Sequence, residues 1–198
     1  RKLIGGLIDE GLNKKRLNRL ILNLNQVDDA INYSTINSID RTISQNKYGH
    51  IIIDRKFFLK LPKELQFRVL LFVLKNNESK KKRIKSESIL ILIDILNSHD
   101  IKRHTLNKNL FINKKHNILV VKEARRIKFK EPIKKKNFIW RDIYKINIKT
   151  PLTSDLKIGF ADDSFDKKNH FKEDKILINS MPAIWKKDKI ISIPFLDK

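Results

Sequence analysis

The chain contains no cysteine. Disulfide staples, thiolate zinc sites and a thiol nucleophile are therefore excluded, and the absence fits a cytoplasmic setting. Glycine is scarce, with five in 198 residues, and Gly5-Gly6 is the only adjacent pair. No Gly-x-Gly-x-x-Gly, Walker-type or Ser-Gly-Gly-x-Asp-Ser loop is present, so little is available to build a phosphate cradle from backbone N–H groups. No apolar run reaches the roughly 18 residues of a membrane span. The longest cluster, Ser88–Leu96, is broken by Asp94. Neither end reads as a secretory or lipidation signal, and no membrane partner is expected.

Candidate catalytic groups are equally thin. The five histidines are His50, His99, His104, His116 and His170. None pairs at i, i+4 or with a carboxylate at zinc-hydrolase spacing. His99-Asp100 with His104 reads as an ordinary loop. Asp162-Asp163 with Asp166 reads as a turn with solvated carboxylates, and a nuclease built on them would need a divalent cation. Ser180 lacks the flanking glycines of a nucleophile elbow. The chain taken alone shows no active site and no cofactor of its own.

What is abundant is positive charge. Lys plus Arg number 44 against 22 Asp plus Glu, a formal charge of +22. The 33 lysines, 31 isoleucines and 18 asparagines follow the codon preference of an AT-rich genome. That bias accounts for lysine over arginine but not for the net charge, which points to a polyanionic partner. The excess is concentrated. Residues 80–136 hold 18 Lys plus Arg and 5 Asp plus Glu, or +13 of the +22. Within it lie Lys80, Lys81, Lys82 and Arg83, then Lys102 and Arg103, then Arg125, Arg126, Lys128 and Lys130, then Lys134, Lys135 and Lys136. Strand alternation would put Arg126, Lys128 and Lys130 on one face as a stripe for phosphates. Phe129, Phe138 and Trp140 lie beside the cluster, where aromatics either stack on unpaired bases or pack in the core.

Hydrophobic periodicity predicts an α+β chain: an N-terminal helical bundle over residues 1–100, then a small, mostly antiparallel β domain over 101–198. Leu12, Leu17, Leu20, Ile21, Leu24, Val27 and Ile31 make a helical stripe, with a break or restart expected at Ser34–Ser38. His50–Asp54 reads as a short strand or an extended linker. Leu61-Pro62-Lys63-Glu64 opens a further helix with Pro in its first turn, and Ser86–Leu96 another, capped by Ser86 or Ser88. Beyond residue 100 the period drops to two. Leu110–Ile112 and Ile118–Val121 form a hairpin around a polar turn. Phe138–Trp140, Ile143–Ile148, Lys175–Ile178 and Ile184–Ile193 read as further strands, the last a hairpin with a charged turn.

The order of these segments resembles the post-catalytic part of the tRNA(Ile)-lysidine synthases, in their alphaproteobacterial form. Arg1-Lys2-Leu3 through Asp9-Glu10-Gly11-Leu12, with Lys15-Arg16-Leu17 and the helix to Ala30, is similar to the segment that follows their catalytic domain. Leu61-Pro62-x-Glu64-Leu65-x-x-Arg68-Val69-Leu70 resembles their Leu-Pro helix. Thr105-Leu106 to Ile112 and Ile118–Glu123 with Arg125 resembles their Thr-Leu hairpin segment. Ile139-Trp140 resembles the Trp that precedes a strand in those members, and Met181-Pro182-Ala183-Ile184-Trp185 with Ile190–Pro194 resembles their closing Leu-Pro-Ala … Val-Pro hairpin. Trp140 is followed by Arg141-Asp142-Ile143 where those members tend to read Asp-Gly-Arg-Phe. The resemblance implies a ligase that adenylates the wobble cytidine of a CAU-anticodon isoleucine tRNA with ATP and Mg2+ and then joins lysine to it. The loop that does this belongs to an upstream catalytic domain, so this chain would be the inactive tRNA-holding part. It opens on Arg1 rather than Met, as part of something longer would. A free-standing RNA-binding or ribosome-associated protein is the alternative, and a homodimer is left open in either case.

Overall fold

The structure, a computed structural model, describes residues 11, 13–77, 84–98, 102–123, 130–141, 144–149, 151–161 and 175–196. Helices dominate the first half and antiparallel sheets the second, an α+β arrangement as the periodicity predicts. The compact units divide after Arg41 rather than near residue 100.

The first unit is built on helix α1, Lys14–Thr42. It starts where the Asn13 side-chain oxygen accepts the Arg16 amide at 2.9 Å, a capping bond that occupies one of the free first-turn N–H groups. Arg41 in its last turn complements the negative end of the helix dipole. The break expected at Ser34–Ser38 does not occur. The Thr35 and Ser38 hydroxyls donate to the Ile31 and Ser34 carbonyls, each at 2.7 Å, so the preceding turn absorbs them and the helix runs on.

The second unit opens with strands β1 (Ile43–Gln45) and β2 (Ile51–Asp54). The Asn46 side-chain oxygen accepts the Tyr48 and His50 amides at 3.0 and 2.9 Å, closing the turn between them. Gly49 sits in that turn at φ +79°, where a side chain would be strained. Asp54 then caps helix α2 (Arg55–Lys60) by accepting the Phe57 amide at 2.9 Å. Helix α3 (Lys63–Asn76) begins one residue after Pro62, which holds the cap position rather than the first turn. Helix α4 (Ser86–Asn97) is preceded by Lys85 as its cap, with no side-chain bond, so neither Ser86 nor Ser88 plays the expected part. Between these helices Gln66 is buried, donating to the Phe58 carbonyl at 3.0 Å and accepting from Asn97 at 3.3 Å.

Strands β3 (Arg103–Leu106), β4 (Asn109–Asn113) and β5 (Asn117–Lys122) complete a five-stranded antiparallel sheet in the order β1-β2-β5-β4-β3. Ile53 pairs with Ile118 and Phe111 with Val120. These side chains alternate onto the face covered by the helices, where α2 packs on β2 and β5, α4 packs on β3, and α3 packs against α4. On that side the Asn77 amide, at the end of α3, donates to buried Asn109 at 2.7 Å. The sheet thus joins residues 43–54 to 103–122. A boundary at residue 100 would cut through it, which is why the expected division fails.

The opposite face carries Ile112, Leu119 and Val121 into a second core with Ile178, Met181, Ala183 and Trp185. Those residues belong to a four-stranded antiparallel sheet, ordered β11-β10-β9-β6. Its strands are β6 (Glu131–Pro132), β9 (Leu156–Phe160), β10 (Pro182–Lys186) and β11 (Lys189–Ser192). Lys175–Ile178, expected as a strand, is instead the short helix α5 (Lys175–Asn179). Its Leu177 and Ile178 carbonyls accept the Ser180 and Met181 amides at 3.1 and 3.0 Å. The three-residue apolar run Ile176–Ile178 fits a buried helix as well as a strand, and packing decided it. The far face of this sheet is covered by the hairpin β7 (Asn137–Trp140) and β8 (Tyr144–Asn147), through Trp140, Tyr144 and Ile146.

Tyr144 lies in that third core, 5.9 Å from the Trp140 ring and 5.8 Å from Phe195. Burial pushes its phenol up to about 12. The unfolded chain ionises it near 10, so the stability it carries is complete below that pH and is lost as the pH rises through 12. Alkaline absorbance titration is expected to show a tyrosine step near 12 that Tyr144→Phe removes.

Candidate nucleic-acid interface

Of the thirteen cations singled out in the sequence, Lys80, Lys81, Lys82, Arg83, Arg125, Arg126 and Lys128 lie outside the described residues. The other six fall into three settings.

Lys102 and Arg103 are exposed where β3 begins. The Lys102 carbonyl accepts the Asn113 amide at 2.8 Å, which brings it beside the turn that joins β4 to β5. That turn carries Lys114, Lys115 and His116, all exposed. The His116 carbonyl accepts the Arg55 amide at 3.0 Å, so exposed Lys56 in the first turn of α2 belongs to the same end of the sheet. Five cations, Lys56, Lys102, Arg103, Lys114 and Lys115, thus gather from three separate stretches of sequence. Lys56, Lys114 and Lys115 were not singled out beforehand. The polar turn was legible, but its neighbours depend on β-sheet register. Asp54, which precedes α2 at this end of the sheet, accepts the Phe57 amide.

Lys134, Lys135 and Lys136 are exposed in the link between β6 and β7. The Lys136 carbonyl accepts the Ile148 amide at 2.9 Å, bringing Lys149 alongside. On the outward face of the β7–β8 hairpin Lys145 stands directly opposite Ile139, which is 67% exposed. None of Lys102, Arg103, Lys134, Lys135 or Lys136 forms an ion pair with a described residue. Free ammonium and guanidinium groups on a strand end and an extended link suit phosphate oxygens, which they bind for affinity and register rather than for base identity.

Lys130 is spent elsewhere. Its ammonium sits 3.6 Å from the centre of the buried Trp185 ring and 3.5 Å from the Asp188 carboxylate. Gly159 makes room for the stack, since a Cβ there would meet Lys130 Cγ and Trp185 Nε1 at 3.3 Å each. The aromatics are equally committed. Trp140 is buried against Phe160 at 4.8 Å and Phe138 packs on the same core, while Phe129 lies outside the described residues. Trp140 offers no free face for a base, and Phe138 is half-buried against the same core.

Ser180 and His50 are tied into the packing of the second unit. Ser180 Oγ is 2.8 Å from His50 Nε2 and 2.7 Å from the Leu177 carbonyl, to which it donates. The hydroxyl proton is therefore engaged, and His50 Nε2 serves as donor to Ser180. The other ring nitrogen, Nδ1, faces the Asn46 amide nitrogen at 3.3 Å and accepts from it. A base for Ser180 would need its Nε2 lone pair, which this tautomer does not present. Asp162, Asp163 and Asp166, with His99, fall outside the described residues, and among those described no group of three metal-ligating side chains gathers. No family model matches the chain, and no curated protein matches it in sequence.

Lys130→Ala is expected to cost stability of about 1 kcal/mol through the lost stack on Trp185. It should shift the tryptophan emission yet leave the salt dependence of RNA binding unchanged, because this ammonium is not free to meet phosphates. Thermal melts and filter binding across a salt series read both.

Proposed function

We propose that this chain is the non-catalytic, tRNA-holding part of a tRNA(Ile)-lysidine synthase and works in the cytoplasm. The carrying observation is the set of exposed cations, none ion-paired to a described residue, at the sheet end and along the link before the β7–β8 hairpin. The order of motifs along the sequence supports the choice of family. In this reading Lys102, Arg103, Lys134, Lys135 and Lys136 bind tRNA phosphates, joined by Lys80–Arg83, Arg125, Arg126 and Lys128. The upstream catalytic domain supplies the pyrophosphatase-type loop, ATP and Mg2+, and lysine joins the wobble cytidine there. The part described here contributes grip and placement. Phosphate contacts do not read bases, so choice among tRNAs rests on the anticodon and the catalytic domain.

The coding DNA immediately upstream tests the family directly. An in-frame Ser-Gly-Gly-x-Asp-Ser segment supports the synthase, and its absence favours a free-standing RNA-binding protein. In binding assays each lost phosphate contact should lower the magnitude of the slope of log K against log salt by roughly 0.7–0.9. The triple variants Lys134→Ala, Lys135→Ala, Lys136→Ala and Arg125→Ala, Arg126→Ala, Lys128→Ala should each reduce that slope by about two, equally for all tRNAs. An unchanged slope would mark either cluster as a solvated surface only. Calorimetric titration of the chain with Mg-ATP is expected to show no micromolar binding.

A further inference from the structure

We infer that the outer edge of β3 receives an added strand, an extended acidic segment of a partner protein running antiparallel to it. β3 ends its sheet, with β4 on one side and no described strand on the other. The Asn113 amide donates to the Lys102 carbonyl, and Lys102 stands opposite Asn113 in the register that pairs Arg103 with Ile112. Antiparallel ladders alternate, so His104 and Leu106 also turn their main-chain groups toward β4, while those of Arg103 and Thr105 point outward. Two N–H and two C=O groups thus face away from the sheet. Among the described residues none of the four has a hydrogen-bond partner. Phosphate oxygens can meet the two N–H groups but give nothing to the two carbonyls. A second main chain meets all four at one register.

The other edges of the two larger sheets are blunted. β11 breaks register against β10 between Ile184 and Trp185, β6 is two residues long and includes Pro132, and β1 has three residues. β3 keeps one register against β4 over four residues, with neither bulge nor proline. Its protection is positive charge. Lys102 and Arg103 stand at its start, with Lys56, Lys114 and Lys115 at the same end of the sheet. That charge repels a second copy of a chain carrying +22 and selects an acidic strand instead. Direction brings the charges into register, because an antiparallel strand ends beside Lys102. Its residue opposite Arg103 shares that side chain's face, the place for a carboxylate, and the residue after it stands opposite Lys102. Opposite half-buried Thr105 a β-branched side chain fits. The inference is independent of the RNA reading, since the Lys102 and Arg103 side chains remain available to phosphates while the edge is empty.

The probe is a fluorescein-labelled peptide, Thr-Val-Thr-Glu-Asp-Glu-amide, whose valine would stand opposite Thr105 and whose first glutamate opposite Arg103. Its anisotropy titration with the 198-residue chain is expected to saturate below about 1 mM, as suits an interface well under ~1,200 Å². The same peptide N-methylated at the valine and the first glutamate keeps its charge but cannot donate to the Thr105 and Arg103 carbonyls. It should bind at least roughly tenfold more weakly, the loss of two main-chain hydrogen bonds. Thr105→Pro removes an outward N–H that the β3–β4 ladder does not use, a place where an edge strand accepts proline. This variant should weaken the unmodified peptide by about threefold or more. If Thr105→Pro alters the far-UV spectrum, the comparison of the two peptides on the unaltered chain decides alone. A titration that does not saturate, or equal binding of the N-methylated peptide, overturns the inference. So does an Arg103→Ala variant that loses affinity for tRNA and none for the peptide, which would give the edge to RNA.

Discussion

Strand β5 is apolar on both faces, and the rest of the second unit is arranged to cover it. Ile118, Leu119, Val120 and Val121 are each at most 5% exposed. An antiparallel strand with one wet face alternates apolar with polar; a continuous apolar run has to be sandwiched. Helices α2–α4 take one side and the β9–β10 sheet the other. At about 1.5–3 kcal/mol per buried aliphatic side chain, four such residues contribute on the order of the entire net stability of a domain. Removing either cover would therefore unfold more than the strand it touches.

That constraint explains what could be read from the sequence and what could not. Hairpins were legible where turn chemistry is local. The polar turn at Lys114–Asn117 and the charged turn after Lys186 fall where alternation predicts. The fold class followed from the change of period. The placement of β1–β2 was not legible, because nothing in His50–Asp54 names Ile118 as the partner of Ile53. A sheet that takes its strands from either side of three intervening helices leaves no local trace. Lys175–Ile178 failed for the opposite reason: the run is too short for either period to show. The hydroxyls at Ser34–Ser38 carry a real breaking tendency, which bonding back to the helix itself overrode.

The candidate surface was legible in part. Counting charge located Lys102–Arg103 and Lys134–Lys136, and both clusters are exposed. Counting does not distinguish a free ammonium from an occupied one, and Lys130 is occupied. The two are separated by a ring centre at 3.6 Å and a glycine that leaves room for it. Nor does counting along the chain add Lys56 and Lys114–Lys115 to Lys102, since they meet only through backbone bonds at the end of a sheet. In a chain with so many lysines, position in the fold decides which ones are packing, which are solvated and which are available to a polyanion.

The pairing of β2 with β5 has a kinetic side. A polypeptide emerges from the ribosome N-terminus first, so β1 and β2 are made well before the strand that lies between them and the rest of their sheet. Until residue 122 is free, the β1–β2 hairpin has an open edge, and α2–α4 have no sheet to close against. Non-local closure of this kind raises contact order and slows folding. Isolated hairpins are marginal in water, so the nascent chain would hold Ile51–Ile53 as an unpartnered apolar edge throughout the synthesis of the helices. Shielding that edge is the natural task for a chaperone during translation, and a truncation ending near residue 100 would leave it exposed for good.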